Sequence, residues 1–180
     1  IPIQWWRSVG HSHTAFVVES ALDELAALGG QDPLEIRRGL LAEQPRHLAV
    51  LNAVAKMAKW QSKPPAGRAR GIALHASFGS IAAQVAEVSV SDGQVCVHRG
   101  WCAIDCGFAV NPDGVVAQME GGIIYGLSAA LTGEITIENG RPIQGNFDTY
   151  PIVRINEAPT IEVQIVASGH IIPQAMLKMA

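Results

Sequence analysis

Over residues 14–28, Phe16, Val17, Leu22, Leu25 and Leu28 recur at the three-to-four-residue interval of an amphipathic helix, with Glu19, Asp23 and Glu24 between them and Gly29-Gly30 as a stop. A second helix is predicted from an Asp32 cap to about Leu41, because proline follows the acid and Glu35 stands three residues after it. A third runs over 46–59 with Leu48, Leu51, Val54, Ala55 and Ala58 as its buried side. The polar, proline-broken stretch 61–70 is a surface connection that separates this helical half, residues 1–60, from the remainder of the chain. Beyond it the pattern changes to runs rich in Val, Ile and Ala, which predict antiparallel strands over 71–77, 83–90 and 95–104, with Ser91-Asp92-Gly93 as a hairpin turn. Asn111-Pro112 then caps an apolar helix that reaches about Leu131. Residues 132–138, the turn Asn139-Gly140 and residues 161–166 complete the strand set. The sum is an α+β fold: N-terminal helices, then a mostly antiparallel sheet packed with a long glycine-rich helix over 71–168, and a tail of different character over 169–180.

Composition narrows the function classes. The chain has 180 residues, of which 48% are hydrophobic, enough to bury a core and against intrinsic disorder. Charged residues are only 16% and the net charge is -3, so the basic excess needed to neutralise a phosphate backbone is missing and no nucleic-acid partner is expected. No stretch has the roughly 18–20 uninterrupted apolar residues of a membrane span, and a soluble chain with no visible address is expected. Cys96, Cys102 and Cys106 lack C-x-x-C spacing and read as small buried hydrophobes. The chain opens at Ile1 in an apolar run with Trp5 and Trp6, which reads as a cut inside a longer protein.

The helix after Asn111 carries the clearest local signal. Gln118, Gly122 and Gly126, beside Gly121 and Ala129, share one face at four-residue spacing, and Val115, Val116, Met119, Ile123 and Leu127 form the core face. A glycine inside a helix costs about 1 kcal/mol relative to alanine, so either close packing on a sheet or the approach of a ligand is the expected return. Gln118 suits a polar ligand because its amide both donates and accepts. Residues 7–13 read as a loop in which Arg7 could hold an anion or simply meet solvent. His11 and His13 would share a face in a strand, but no third ligand accompanies them and no metal site is assigned. Ser8, Ser12 or Ser77 with His75 and Asp105 would make a hydrolytic set by composition only, because no G-x-S-x-G turn occurs. Residues 107–111 lead into a helix N-terminus but match no phosphate-binding fingerprint.

Taken together, Gln84-Val-Ala-Glu-Val-Ser-Val90, Cys102-Ala-Ile-Asp-Cys-Gly107, Asn111-Pro112, Gln118-Met-Glu-Gly-Gly122 and Gly126 resemble the large subunit of the molybdenum hydroxylases, the xanthine oxidase and aldehyde oxidase family. Trp5-Trp6-Arg7-Ser8-Val9-Gly10, Asp32-Pro33-Leu34 and Asn146-Phe-Asp-Thr-Tyr-Pro151 extend the resemblance, in order, to about Ser168. It implies an oxidoreductase that hydroxylates an aldehyde or N-heterocycle with water, with molybdopterin, in its cytosine dinucleotide form, as cofactor and iron–sulfur clusters on a partner. The implied partners are the rest of the large subunit and a small 2Fe–2S subunit. From the same resemblance, Gln118 would bond the cofactor, Gly121 and Gly122 would admit it, and Arg7 would lie in the loop facing molybdenum. Val9 stands where many family members carry an aromatic residue.

One departure from the family pattern is large. Members follow the last strand with G-V-G-E-P, whose glutamate is the general base, whereas here Ser168 leads into Gly169-His-Ile-Ile-Pro173 and no acid follows; neither Glu134 nor Glu157 matches that motif. No catalytic residue is therefore assigned. The expectation is the C-terminal part of a large subunit, contributing one wall of a cofactor site but inactive alone. The alternative is a non-catalytic α/β scaffold or assembly module that has lost the glutamate. A fragment of this kind leaves apolar faces uncovered, with Trp5, Trp6 and Ile171-Ile172 as contributors, and self-association is expected.

Overall fold

The computed structural model describes residues 6–167 and 169. Three helices, α1 (His11–Leu28), α2 (Pro33–Leu40) and α3 (Pro45–Met57), precede a meander of β1 (Ala69–Ser77), β2 (Ser80–Ser91) and β3 (Gln94–Asp105). Then come α4 (Pro112–Leu131), a small hairpin of β4 (Ile137–Glu138) and β5 (Arg141–Pro142), and β6 (Thr160–Ile165). The sheet runs β1-β2-β3-β6. The first three strands are antiparallel and β6 lies parallel to β3, so the sheet is mixed, with two of its three pairings antiparallel as expected. The step from β3 to a parallel neighbour needs a crossover, and α4 with the residues after it provides one.

Both turns of the meander depend on residues that take positive φ. Asp92 and Gly93, at φ 51° and 75°, make the tight turn between Ser91 and its partner Gln94. Phe78 and Gly79, at 50° and 83°, make an equivalent turn between Ser77 and Ser80. That second turn carries no obvious Asn-Gly or Asp-Gly signal, which is why β2 begins at Ser80 instead of the expected Ala83.

The sheet has two unlike faces. Against one, α3 packs Val50, Leu51, Val54 and Ala55 onto Ile72, Ile81, Ala83, Val85, Trp101 and Ala103, with Leu34 of α2 closing the cluster. Helical half and sheet thus share one core. Burying a side chain such as Leu51 contributes about 1.5–3 kcal/mol. Against the other face, Val115 and Met119 of α4 meet Ala82, Cys102, Ile104 and Cys106. α4 is long and apolar enough by composition to cross a membrane. Here one stripe of it lies on the sheet.

Charged groups tie the helices down. Arg37 of α2 is buried and meets the Glu19 and Asp23 carboxylates of α1 at 2.9 and 2.7 Å. The Glu19 carboxylate also accepts from the Leu74 backbone N–H on β1 at 2.7 Å. That caps a donor on an edge strand. The Asp32 cap forms as expected, its Oδ1 accepting from the N–H groups of Leu34 and Glu35. The Glu35 side chain turns to Arg38 instead of back to the cap. On β2, buried Glu87 lies between Arg68 and Arg70.

Several expectations are corrected. α1 begins at His11, inside the stretch read as a loop, because Ser8 and Val9 at φ 70° and 54° reverse the chain and bring the His11 and Thr14 N–H groups onto the Ser8 and Gly10 carbonyls. His11 and His13 are therefore helical, not on a strand. The apolar side of α1 is mostly in solvent: Phe16, Val17, Leu25 and Leu28 are exposed, and Ala26 alone is fully buried. Residues 69 and 70 belong to β1, not to the connection. Only Ile137 and Glu138 of 132–138 are strand, in a hairpin separate from the main sheet. There the Thr132 hydroxyl donates to the Pro151 carbonyl, and Gly133 crowds against Ala129 and Tyr150, which turns the chain away. Cys102 and Cys106 are buried, but Cys96 is exposed. Burial pushes the Cys102 thiol up to about 12. The expected roles of Trp5, Ile171-Ile172 and most of the tail lie outside the described residues.

Candidate functional site

The site is built on α4. Asn111 caps the helix by accepting from the Gly114 N–H at 3.1 Å, and Pro112 fills the first turn. Val115, Met119 and Gly122 then fall on the sheet side. Gly122, one turn on from Gln118, is buried. Gly121 and Gly126 do lie open: a β-carbon added at either would meet no atom within 4 Å. Helix packing within the described residues therefore does not require their small size.

Arg7 and Gln118, far apart in the chain, meet here. The Arg7 Nη2 donates to Gln118 Oε1 at 3.2 Å. Arg7 Nε is buried with no hydrogen-bond partner among the described residues. The guanidinium lies 5.7 Å from the centre of the Tyr125 ring, and Trp6 packs against the same ring at 5.7 Å. A cation over an aromatic face contributes about 0.5–1 kcal/mol at exposed sites. The turn that carries Arg7 is strained, since a β-branched residue such as Val9 at positive φ costs about 1–3 kcal/mol. Val9 itself is exposed.

Beside Gly121 opens a cleft of about 740 Å³ between α4 and residues 135–153. Trp6, Tyr125, Phe147 and Tyr150 supply aromatic surface, and Gln144 and Asn146 supply amides. The Asn146–Tyr150 segment is shaped by its own hydrogen bonds: the Tyr150 and Thr149 N–H groups donate to the Asn146 carbonyl, and Thr149 Oγ1 accepts from the Gly145 N–H. Trp6, then Gly121 and Tyr125 of α4, and then Asn146, Phe147 and Tyr150 thus line one hollow. No carboxylate lines it among the described residues, and Arg7 lies outside the lining but over Tyr125, which belongs to it. No individual role is expected of Tyr125, Phe147 or Tyr150 from the sequence. The signal for Tyr125 is present in its four-residue spacing from Gly121, whereas Tyr150 comes near only through the fold.

The remaining candidates fall elsewhere. His75 Nε2 and His11 Nδ1 share a hydrogen bond of 2.8 Å, while Asp105 accepts from Arg46 at 2.7 Å and from the Gly107 N–H at 2.9 Å. The serine, His75 and Asp105 set is accordingly drawn to different partners. The Gly107 N–H, which could have met a phosphate, already meets a carboxylate. Glu157 accepts from the Arg154 N–H, and Glu134 is exposed. Among the described residues no three His, Cys, Asp or Glu side chains are grouped to hold a metal.

Residues 21–159 match the family described as molybdopterin cofactor-binding domain. The chain is 36% identical over 185 residues to the beta subunit of isoquinoline 1-oxidoreductase from Brevundimonas diminuta, covering 100% of this chain and 23% of that protein. It is 32% identical to a nicotinate dehydrogenase subunit of Pseudomonas putida, covering 92% of this chain and 16% of the relative. A crystal structure of Cu,Mo-CO dehydrogenase superposes with a TM-score of 0.49 at 21% identity, over 55% of this chain and 13% of that one. The chain spans less than a quarter of the length of these two curated relatives.

Proposed function

Since this chain belongs to the molybdopterin cofactor-binding domain family, we propose that the Arg7–Gln118 face of α4 and the cleft beside Gly121 form one wall of a cofactor site in a molybdenum hydroxylase large subunit. The observation that carries this is the meeting of Arg7 with Gln118, across 111 positions, beside an open glycine. The residues fit a polar, anionic pterin. Arg7 Nε is a buried donor with no partner among the described residues, the Gln118 amide nitrogen is a second donor, and a β-carbon at Gly121 would project into free space a flat group could use. Arg7, Gln118 and Gly121 are the cofactor-facing set, to which the motif adds the buried Gly122.

When bound, the molybdenum cofactor, in its cytosine dinucleotide form, supplies the redox chemistry that hydroxylates an aldehyde or N-heterocycle with water. This chain's own residues orient it and exclude water: Arg7 and Gln118 through hydrogen bonds, Trp6 and Tyr125 by apolar cover. The general base and the route to iron–sulfur clusters come from the rest of the large subunit and from a small 2Fe–2S subunit. Inactivity of this chain alone rests on the sequence, in which no G-V-G-E-P glutamate follows the last strand. The same lack of an acid is what favours a second reading, a scaffold that keeps the fold without turnover.

The test is dye-linked oxidation of an aldehyde and of isoquinoline, with molybdenum content, for the purified chain and for the chain expressed with the other subunit segments. Turnover is expected only in the assembly. Activity of the lone chain overturns the inactivity, and an assembly that lacks pterin overturns the cofactor wall in favour of the scaffold.

A further inference from the structure

The turn that presents Arg7 is held from two sides. On one, Arg7 reaches α4 through Gln118. On the other, His11, the first residue of α1, reaches β1 through the 2.8 Å contact of its Nδ1 with His75 Nε2. Between them Ser12 binds the turn to the helix: its Oγ donates to the Arg7 and Val9 carbonyls and pairs with Ser8 Oγ at 2.7 Å. Ser8 and Val9 sit at φ 70° and 54°, a conformation that side-chain-bearing residues leave when nothing holds them. A strained turn therefore depends on an imidazole pair.

We propose that the His11–His75 pair is a proton-sensitive clasp that positions Arg7 against Gln118. A hydrogen bond between two imidazole nitrogens needs one N–H and one lone pair. With one or no net positive charge on the pair the bond stands. When both rings are imidazolium, two N–H groups and two charges face each other at 2.8 Å and the bond is lost. His75 and Phe78 both lie edge-on to the His11 ring at 5.1 Å, which fixes its orientation.

The charged and titratable groups around the pair are few. α1 contributes His13, Glu19 and Asp23, the turn contributes Arg7, and α2 contributes Arg37, which neutralises both carboxylates. β2 lines this hollow with Ala82, Gln84 and Ala86, none of them charged. Burial, and then the neighbouring His11, hold His75 below the ordinary imidazole value, with Glu19 opposing. The sign follows: the clasp is complete above about pH 6.5, the ordinary imidazole value, and is lost as pH falls through the lowered value of folded His75. The consequence for cofactor retention rests on the proposed wall; the clasp itself does not.

Hydrogen exchange on the 180-residue chain, corrected for intrinsic rates, tests it. Between about pH 7.5 and about pH 5, protection of residues 8–14 is expected to fall about tenfold while that of α3 holds. His75→Gln, whose amide stands where Nε2 stood and does not titrate, is expected to flatten that response; His11→Asn, which mimics Nδ1, does the same if the first variant fails to fold. A flat wild-type profile, or a full acid response in both variants, overturns the clasp. Exchange needs no cofactor, so that failure leaves the cofactor wall standing, whereas a pterin-free assembly overturns the wall and leaves the clasp.

Discussion

α3 and α1 are both amphipathic helices flanking the same sheet, yet Val50, Leu51 and Val54 of α3 are 0% exposed while Leu25 and Leu28 of α1 are 58% and 86% exposed. α4 stands between them, with one buried stripe and an open glycine face. The difference teaches that one face of the sheet is finished by this chain and the other is not. On the finished face, apolar side chains meet each other and make the fold stable. On the unfinished face, α1 is held by charge and hydrogen bonding, through Arg37, Glu19 and the histidine pair, and the surface left over includes the cleft. Apolar surface of this extent usually marks an interaction site, and the chain on its own is expected to self-associate.

The contrast can be broken most forcefully at Arg37. Arg37→Ala leaves Glu19 and Asp23 without their buried partner and is expected to cost about 3–5 kcal/mol in denaturant unfolding. A cost below about 1 kcal/mol would mean that apolar contact, not the ion pairs, holds α1. Leu51→Ala on the finished face is expected to cost about 2–5 kcal/mol, against no more than about 0.5 kcal/mol for Leu25→Ala on α1. Equal costs at the two leucines would erase the distinction between the faces.

Smaller effects sharpen it. Gly121→Ala adds a methyl group in open space within a helix, so the chain is expected to gain about 0.5–1 kcal/mol. In the assembled enzyme the same change is expected to lower molybdenum content, a split that simple packing would not produce. On the finished side, hydrogen bonding to Arg68, and with it Arg70, holds the Glu87 carboxyl below its ordinary value of 4.5 against the opposing effect of burial. Its contribution is complete above that value and drains away as pH falls through the lower folded one. Acid unfolding curves of wild type and Glu87→Gln should therefore converge below that range and separate above it.

Much of the fold was legible because it is written locally. The Asp32 and Asn111 caps, the prolines after them and the Asp92-Gly93 turn act within a few residues, and each forms where the chain predicts. The turn at Phe78-Gly79 was not legible, because Phe78 has no intrinsic preference for positive φ and takes it only when β1 and β2 pair. The same holds for residues 132–138, where Thr132 and Gly133 are drawn to Pro151 and Tyr150. At the site, the sequence singled out Arg7, Gln118, Gly121 and Gly122, but gave no sign that Arg7 would meet Gln118 or that His11 would meet His75.

What the sequence determined alone is the set of elements and the family to which their motifs belong, since caps, turns and periodicity are properties of neighbours along the chain. Tertiary structure decided which amphipathic helix is covered and which is bare, and it joined Arg7 to Gln118 and His11 to His75. Those pairings span 111 and 64 positions, and only the docking of α1 and α4 on the sheet brings such partners within reach of a hydrogen bond.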